Sequence, residues 1–184
     1  MARLVGLSGS LRKASFNTRL LRSAASLMPE GSRLDVRTVH GIPLFDGDAE
    51  AALGLPEPVA VLKEVIAEAD GLLIASPEYN NSVPGVLKNA IDWLSRPPSD
   101  IARVFGGKPV AVCGASPGGF GTRLAQSAWL PVFHCLGASV YSGRRLEVSR
   151  ARDAWREDGT IGDEAVVRRL TSFLEDFVAF AARR

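Results

Sequence analysis

Gly9-Ser10-Leu11-Arg12-Lys13-Ala14-Ser15-Phe16-Asn17 is the stretch that decides the fold, because it joins a strand pattern to a helix pattern. The residues before it, 2–7, form a short apolar run, and apolar residues recur after it at helical spacing. The loop between them carries hydroxyls, a guanidinium and the N–H groups that a helix start leaves unpaired. Free amides and the positive end of the helix dipole bind phosphate readily. The stretch therefore predicts a strand–turn–helix unit that holds the phosphate of a nucleotide. The alternative is an ordinary capped turn, in which Ser15 or Asn17 caps the helix and Arg12 is only solvated.

Strand and helix patterns alternate along the rest of the chain, and they predict an α/β fold with a doubly wound parallel sheet. Further strands are predicted at residues 33–39, 71–75, 110–113 and 137–141. Further helices are predicted at 58–69, 83–94, 122–136 and 163–180, the third of them kinked or restarted by Pro131. Residues 40–56, rich in glycine, proline and acidic side chains, are predicted to be the longest loop. The 184 residues suit a single domain, 1–184.

Composition and charge exclude several classes of protein. A net charge of +2 is too small to indicate a nucleic-acid or membrane-surface partner. Two cysteines without ligand spacing predict free thiols, and two isolated histidines do not indicate a metal site. The sequence shows no leader and no apolar run of membrane length, so we expect a cytoplasmic protein that has no membrane partner.

Two more loops of unusual composition follow the third and fourth predicted strands. Parallel sheets of this type bind ligands outside the carboxyl ends of their strands, where the strand order reverses. Ser76-Pro77-Glu78-Tyr79-Asn80-Asn81-Ser82-Val83-Pro84-Gly85 would present backbone amides to a planar heterocycle, with Tyr79 against its face or against a partner chain. The plainer interpretation is an ordered turn in which Asn80 or Ser82 caps the next helix.

Gly114-Ala115-Ser116-Pro117-Gly118-Gly119-Phe120-Gly121 is the loop after the fourth strand, and its glycines allow a ring to approach the backbone closely. Ser116 stands in a G-x-S-x-G pattern, which is typical of the nucleophile of an α/β-hydrolase. Pro117 has no N–H to serve as the oxyanion donor, and the following His134 is only 18 residues away. A hydrolase is therefore strongly disfavoured.

Taken together, three segments resemble the NADPH-dependent FMN reductase family, which includes bacterial quinone and chromate reductases and related azoreductases. They are Gly9-Ser10-Leu11-Arg12-Lys13-x-Ser15-Phe16-Asn17, Ser76-Pro77-Glu78-Tyr79-Asn80-x-Ser82-x-Pro84-Gly85-x-Leu87-Lys88-Asn89-Ala90-Ile91-Asp92-Trp93 and Ser116-x-Gly118-x-x-Gly121. The resemblance runs from the first strand to about Gly143. It implies a flavodoxin-like sheet of five parallel strands in the order 2-1-3-4-5, with helices on both faces and a tightly held FMN.

The resemblance also implies a set of FMN-binding residues. Ser10, Arg12, Ser15 and Asn17 would hold the phosphate, the 77–80 segment would border the ring and the ribityl chain, and the 116–119 segment would close the other side. The full expected set is Ser10, Leu11, Arg12, Lys13, Ser15, Phe16, Asn17, Pro77, Glu78, Tyr79, Asn80, Ser116, Gly118 and Gly119.

The expected activity is an NAD(P)H-dependent FMN reductase that reduces quinones by ping-pong hydride transfer through bound FMN. Chromate, azo compounds and free flavin are further candidate acceptors, NADPH or NADH is the co-substrate, and a homodimer or homotetramer is expected. FMN carries the chemistry, so no catalytic residue and no metal are assigned, and Glu78 is expected to position its loop. Two alternatives are a flavodoxin-type electron carrier and a domain that uses FMN only as a substrate for a partner monooxygenase. Trp93, Leu94, Trp129 and Phe133 fit the core or a dimer interface, with the core favoured.

Overall fold

Six parallel strands form one sheet in the computed structural model, which describes residues 1–183. Arg184, the last residue of the predicted domain, lies outside the described residues. The strands are β1 (Arg3–Ser8), β2 (Arg33–Thr38), β3 (Gly71–Ala75), β4 (Pro109–Ala115), β5 (Ser139–Val140) and β6 (Leu146–Val148). The helices are α1 (Phe16–Ser26), α2 (Gly47–Leu53), α3 (Glu57–Ala67), α4 (Gly85–Leu94), α5 (Ile101–Val104), α6 (Arg123–Cys135), α7 (Ala151–Ala154) and α8 (Glu164–Ala181), with a 3₁₀ turn at Pro98–Asp100.

The strand order is β2-β1-β3-β4-β5, and every pairing is parallel. The predicted order 2-1-3-4-5 is therefore confirmed. The order reverses between β1 and β3, so the carboxyl ends of these two strands mark the switch point at which such sheets bind ligands.

The edge beyond β4 differs from the single strand predicted at 137–141. β5 pairs only with the start of β4, whereas β6 pairs with its end, from Cys113 to Ala115. The chain leaves the edge at Tyr141, whose ring packs against Phe173, Phe177 and Phe180 of α8. Its hydroxyl accepts a hydrogen bond from the N–H of Arg144 at 2.9 Å. Residues 141–145 therefore separate β5 from β6 along this edge.

Apolar side chains cover the sheet on both faces. On one face α1 and α8 contribute Leu20, Leu21, Ala24, Val166, Leu170, Phe173, Leu174 and Phe177. On the other face α3, α4, α5 and α6 contribute Val59, Leu62, Ile66, Leu87, Ile91, Trp93, Leu94, Val104, Trp129 and Phe133. All five residues of β3 are buried, as expected of a central strand. The sequence assigned four residues either to the core or to a dimer interface, and all four are core residues: Trp93, Leu94, Trp129 and Phe133.

One further prediction about the elements is wrong, and a second is wrong in part. Residues 40–56 contain α2, whose N-cap Asp46 accepts from the N–H groups of Asp48 and Ala49. No residue of α2 is buried, so the apolar periodicity that reveals a helix is missing. Of the two effects predicted for Pro131, the restart is wrong, because α6 continues from Arg123 to Cys135 as one helix with the proline ring exposed. A kink at Pro131 stays a prediction. Among residues 1–183 no helix is both long enough and apolar enough to span a membrane.

Candidate functional site

The three loops singled out in the sequence lie side by side at the carboxyl edge of the sheet. The N–H of Gly9 donates to the carbonyl of Ala75 at 3.0 Å, and that of Ser76 donates to the carbonyl of Cys113 at 2.9 Å. A Cβ on Gly9 would lie 2.5 Å from Cδ2 of Leu87 in α4, so the first loop packs tightly against this helix. Strand pairing therefore brings the ends of β1, β3 and β4 into one continuous surface.

The first loop carries hydroxyl and backbone N–H donors that have no acceptor within the described residues. Ser15 is the N-cap of α1, and its hydroxyl oxygen accepts from the N–H of Thr18 at 3.2 Å. The hydroxyl oxygen of Ser10 accepts from the N–H of Arg12 at 3.3 Å. Both serines are almost fully buried, with 3% and 4% of their surface exposed for Ser10 and Ser15. Each hydroxyl proton is left without an acceptor among residues 1–183.

Unpaired backbone and side-chain donors surround these hydroxyls. Within the described chain, the N–H groups of Lys13, Ala14, Phe16 and Asn17 donate no hydrogen bond. The side chains of Arg12 and Lys13 are exposed and have no ion-pair or hydrogen-bond partner in residues 1–183. Donors and positive charge at a helix start suit a phosphate group.

Asn17 has a role in the structure that its position in the sequence did not reveal. Its side-chain amide donates to the carbonyl of Ala115 at 3.0 Å, and its side-chain oxygen accepts from the N–H of Ala115 at 2.9 Å. The side chain therefore pairs with the end of β4 as another strand would, and it ties α1 to the third loop. One amide proton remains for a ligand, so direct phosphate contact by Asn17 stays a prediction.

The second loop is a tight hairpin. Tyr79 and Ser82 exchange backbone hydrogen bonds of 3.2 and 3.0 Å, and the residues between them, Asn80 and Asn81, have φ of 51° and 61°. Positive φ at both central positions defines a type I′ turn, in which asparagine is favoured. Neither Asn80 nor Ser82 caps α4, whose N-cap is Pro84 without a side-chain cap. The ordered turn of the plainer interpretation is therefore present, but its helix cap is wrong.

Glu78 connects the second loop to the third. Its Oε2 accepts from the N–H groups of Leu124 and Ala125, at 2.8 and 2.9 Å. Thr122, the N-cap of α6, provides no side-chain cap of its own, so Glu78 satisfies the start of that helix from a different strand end. A carboxylate is also favoured by the positive end of the helix dipole. The geometry agrees with the loop-positioning role expected for Glu78.

The third loop is held closed by Ser116. Its hydroxyl donates to the carbonyl of Gly121 at 2.6 Å, and Gly121 has φ of 62°. A hydroxyl committed to a backbone carbonyl does not have the histidine partner that a serine nucleophile needs. A Cβ on Gly119 would meet no atom of residues 1–183 within 4 Å, so packing among these residues does not require glycine there.

Some supporting residues were not found from the sequence. His40 contacts the carbonyl of Leu11 through Nε2 at 3.2 Å and so braces the first loop. Buried Thr122 packs against Gly114, where a Cβ would collide with its hydroxyl. The His40 contact joins residues 29 positions apart in the chain, and the contact of Thr122 with Gly114 depends on how the third loop folds back on itself, so no motif of adjacent residues reveals either.

Comparison with known proteins identifies the family to which the chain is similar. Residues 2–153 match the model of the NADPH-dependent FMN reductases. A quinone reductase of Escherichia coli K12 is 44% identical over 184 residues, which cover 98% of this chain and 95% of that protein. An NAD(P)H-dependent FMN reductase of Pseudomonas aeruginosa is 42% identical over 162 residues, covering 88% of this chain and 85% of that protein.

A solved structure of a flavoenzyme agrees with these sequence matches. The flavoenzyme NAD(P)H:(acceptor) oxidoreductase from Paracoccus denitrificans superposes with a TM-score of 0.87 and 34% sequence identity, covering 100% of this chain and 98% of that chain. The match extends beyond the family model into α8. The chain belongs to the NADPH-dependent FMN reductase family.

Proposed function

We propose that the protein is an FMN-dependent NAD(P)H oxidoreductase that reduces quinones, with its flavin held by the three loops at the carboxyl edge of the sheet. FMN is the cofactor and NAD(P)H the co-substrate of the family. The observation that carries the site assignment is the donor set at the start of α1. Two buried hydroxyl protons and several N–H groups without an acceptor in residues 1–183 lie on this loop, beside two cations that have no partner in the same residues.

The residues present fit a flavin phosphate. A phosphate monoester carries up to two negative charges and needs many donors, which the hydroxyls of Ser10 and Ser15 and the guanidinium of Arg12 provide. When bound, FMN supplies the hydride-accepting and electron-donating chemistry. Lys13 adds a second positive charge at the same end of the loop. Leu11 and Phe16 flank the donors in the chain and would form the walls of this part of the site.

The other two loops would hold the ring system. The backbone of Pro77, Tyr79 and Asn80 would border one side of it, on a hairpin that Glu78 fixes against α6. Gly118 and Gly119 would approach the other side, where the absence of side chains leaves room for a ring. The contribution of the protein is then placement and exclusion of water, and no protein side chain has to transfer a proton.

Similarity supports quinones as acceptors. Besides the E. coli quinone reductase, a 2-hydroxy-1,4-benzoquinone reductase of a Burkholderia species is 39% identical over 176 residues. We propose chromate, azo compounds and free flavin as further acceptors, a cytoplasmic location, and a homodimer or homotetramer as the assembly.

The visible absorption spectrum of the purified protein tests the proposal. We expect a two-band flavin spectrum, after added FMN if necessary, that anaerobic NADPH or NADH bleaches and a quinone restores. A protein that takes up no FMN would contradict the proposal. Bound flavin that neither nucleotide reduces would instead support the electron carrier, and flavin lost on gel filtration would support FMN as a substrate.

A further inference from the structure

His40 reaches the first loop from a segment outside the three loops described above. It lies just beyond β2, which pairs with β1 so that Thr38 is opposite Ser8, the last residues of the two strands. The chain therefore leaves both strands at the same edge of the sheet. His40 comes within hydrogen-bonding distance of Leu11, which lies 29 positions earlier in the chain. The end of β2 thus adds a fourth segment to the edge that carries the proposed phosphate site.

Both ring nitrogens of His40 have a partner. Nε2 lies 3.2 Å from the carbonyl oxygen of Leu11, and Nδ1 lies 3.0 Å from the hydroxyl oxygen of Thr38. A carbonyl oxygen only accepts hydrogen bonds, so the contact with Leu11 requires a proton on Nε2. In the neutral imidazole, Nδ1 then accepts from the hydroxyl of Thr38, which fixes this tautomer. The imidazolium donates from both nitrogens, so His40 can hold the Leu11 carbonyl in either protonation state.

The contact sets the direction of the peptide group that joins Leu11 to Arg12. This peptide is trans, so its carbonyl and its N–H point to opposite sides. The carbonyl of Leu11 points towards His40, and the N–H of Arg12 donates to the hydroxyl oxygen of Ser10 at 3.3 Å. His40 and Ser10 therefore lie on opposite sides of one peptide group, and the imidazole holds its negative end away from Ser10.

This orientation leaves the hydroxyl proton of Ser10 for a ligand. The side chain of Ser10 is buried, and its proton has no acceptor among residues 1–183. The hydrogen bond that its oxygen accepts from Arg12 polarises the hydroxyl and makes it a stronger donor. A reversed peptide would turn the Leu11 carbonyl towards Ser10. That oxygen would then accept the hydroxyl proton and place a partial negative charge beside the phosphate site.

We propose that His40 is a positioning residue for the phosphate monoester of FMN, because it holds the Leu11–Arg12 peptide in the orientation that keeps Ser10 a donor. The inference rests on the proposed function, since it requires a phosphate at the first loop. His40 acts through the loop and is not a catalytic residue. Its contribution concerns the phosphate and not the ring, so it strengthens the binding of FMN and leaves that of riboflavin, which has no phosphate, unchanged.

Flavin fluorescence quenching of His40→Ala, with FMN and with riboflavin, tests the inference. We expect the Kd for FMN to rise about tenfold, the change that the loss of one hydrogen bond implies. The Kd for riboflavin should stay unchanged. His40→Gln, whose side-chain amide can donate from near the position of Nε2, should restore most of the FMN affinity. His134→Ala is the matched control, because it removes the other histidine of the chain, which is exposed on the last turn of α6, and it should change neither Kd.

Phosphorus NMR of FMN at saturating protein reports on the phosphate itself. We expect the phosphorus resonance of bound FMN to move in His40→Ala, because the phosphate loses the Ser10 hydroxyl as a donor. In His40→Gln it should return towards the wild-type position. A residue that only stabilises the fold would leave this resonance where it is once the protein is saturated.

Several outcomes overturn the inference and leave the proposed function intact. They are an unchanged Kd for FMN in His40→Ala, an equal rise in the Kd for FMN and for riboflavin, and a raised Kd for FMN with an unmoved phosphorus resonance. Equal affinity of the wild-type protein for the two flavins would contradict a phosphate site at the first loop, and the inference would fail with it. A wild-type protein that takes up no FMN would overturn the proposed function itself.

Discussion

Removal of the Glu78 carboxylate should weaken both the fold and the flavin site, because one oxygen holds the start of α6 and the second loop together. Glu78→Ala frees two backbone N–H groups, those of Leu124 and Ala125, that now donate at 2.8 and 2.9 Å. Loss of a helix cap costs about 0.5–2 kcal/mol, and lost interaction with the helix dipole costs about 0.3–1 kcal/mol. We expect the free energy of unfolding of the apoprotein to fall by about 1.5 kcal/mol.

The same substitution releases the hairpin next to the proposed ring site. Fixing the backbone of one residue again on binding costs about 1–2 kcal/mol, so the Kd for FMN should rise about tenfold. Urea denaturation of the apoprotein gives the first quantity, and flavin fluorescence quenching gives the second. The apoprotein is required because bound FMN adds its own stabilisation.

Asp163 provides the matched control. It is the N-cap of α8, and its carboxylate accepts from the N–H groups of Ala165 and Val166 at 2.8 and 3.2 Å. Asp163→Ala should cost about as much stability as Glu78→Ala and leave FMN binding unchanged. Equal weakening of FMN binding in both variants, or a Glu78→Ala protein with wild-type affinity, would refute the coupling between the cap and the flavin site.

Three more predictions follow from the structure. Arg12→Ala with Ser15→Ala should weaken FMN binding about 100-fold and leave riboflavin, which has no phosphate, unaffected; unchanged FMN affinity in a fluorescence titration would contradict the phosphate assignment. The hydrogen bond from Lys63, which is almost fully buried, holds the pKa of Asp100 below its ordinary value of 3.8. Because the folded pKa is the lower one, this stabilisation is present above the unfolded pKa and is lost as the pH falls through the folded pKa. The free energy of unfolding of Asp100→Asn should therefore fall less on acidification than that of the wild type. An equal fall in the two proteins would contradict this. Burial raises the pKa of Cys113 to about 12, so a thiol reagent at pH 8 should label one cysteine per native chain and two per unfolded chain, whereas rapid labelling of both in the native protein would show that this part of the sheet opens.

The regular elements were predictable because their apolar residues repeat at short intervals. The buried run 71–75 and the amphipathic pattern of α8 identify a central strand and a surface helix without any tertiary information. Elements without such a repeat were missed. α2 buries no residue, and α5 and α7 have only four residues each. The division of the edge strand at Tyr141 depends on phenylalanines more than 30 residues later in the chain, on α8.

The sequence by itself determined the order of the main strands and helices, the three loops at the ends of β1, β3 and β4, and the family, since these depend on local periodicity and on motifs of adjacent residues. Only the tertiary structure decided how those loops are joined. Asn17 pairs with Ala115 across 98 positions, and Glu78 caps a helix 46 positions away. A hydrogen-bonding side chain within one loop can serve a ligand, its own helix or a distant backbone group. The strand order decides which of these partners the side chain has, because it determines which backbone groups come within about 3 Å of that side chain.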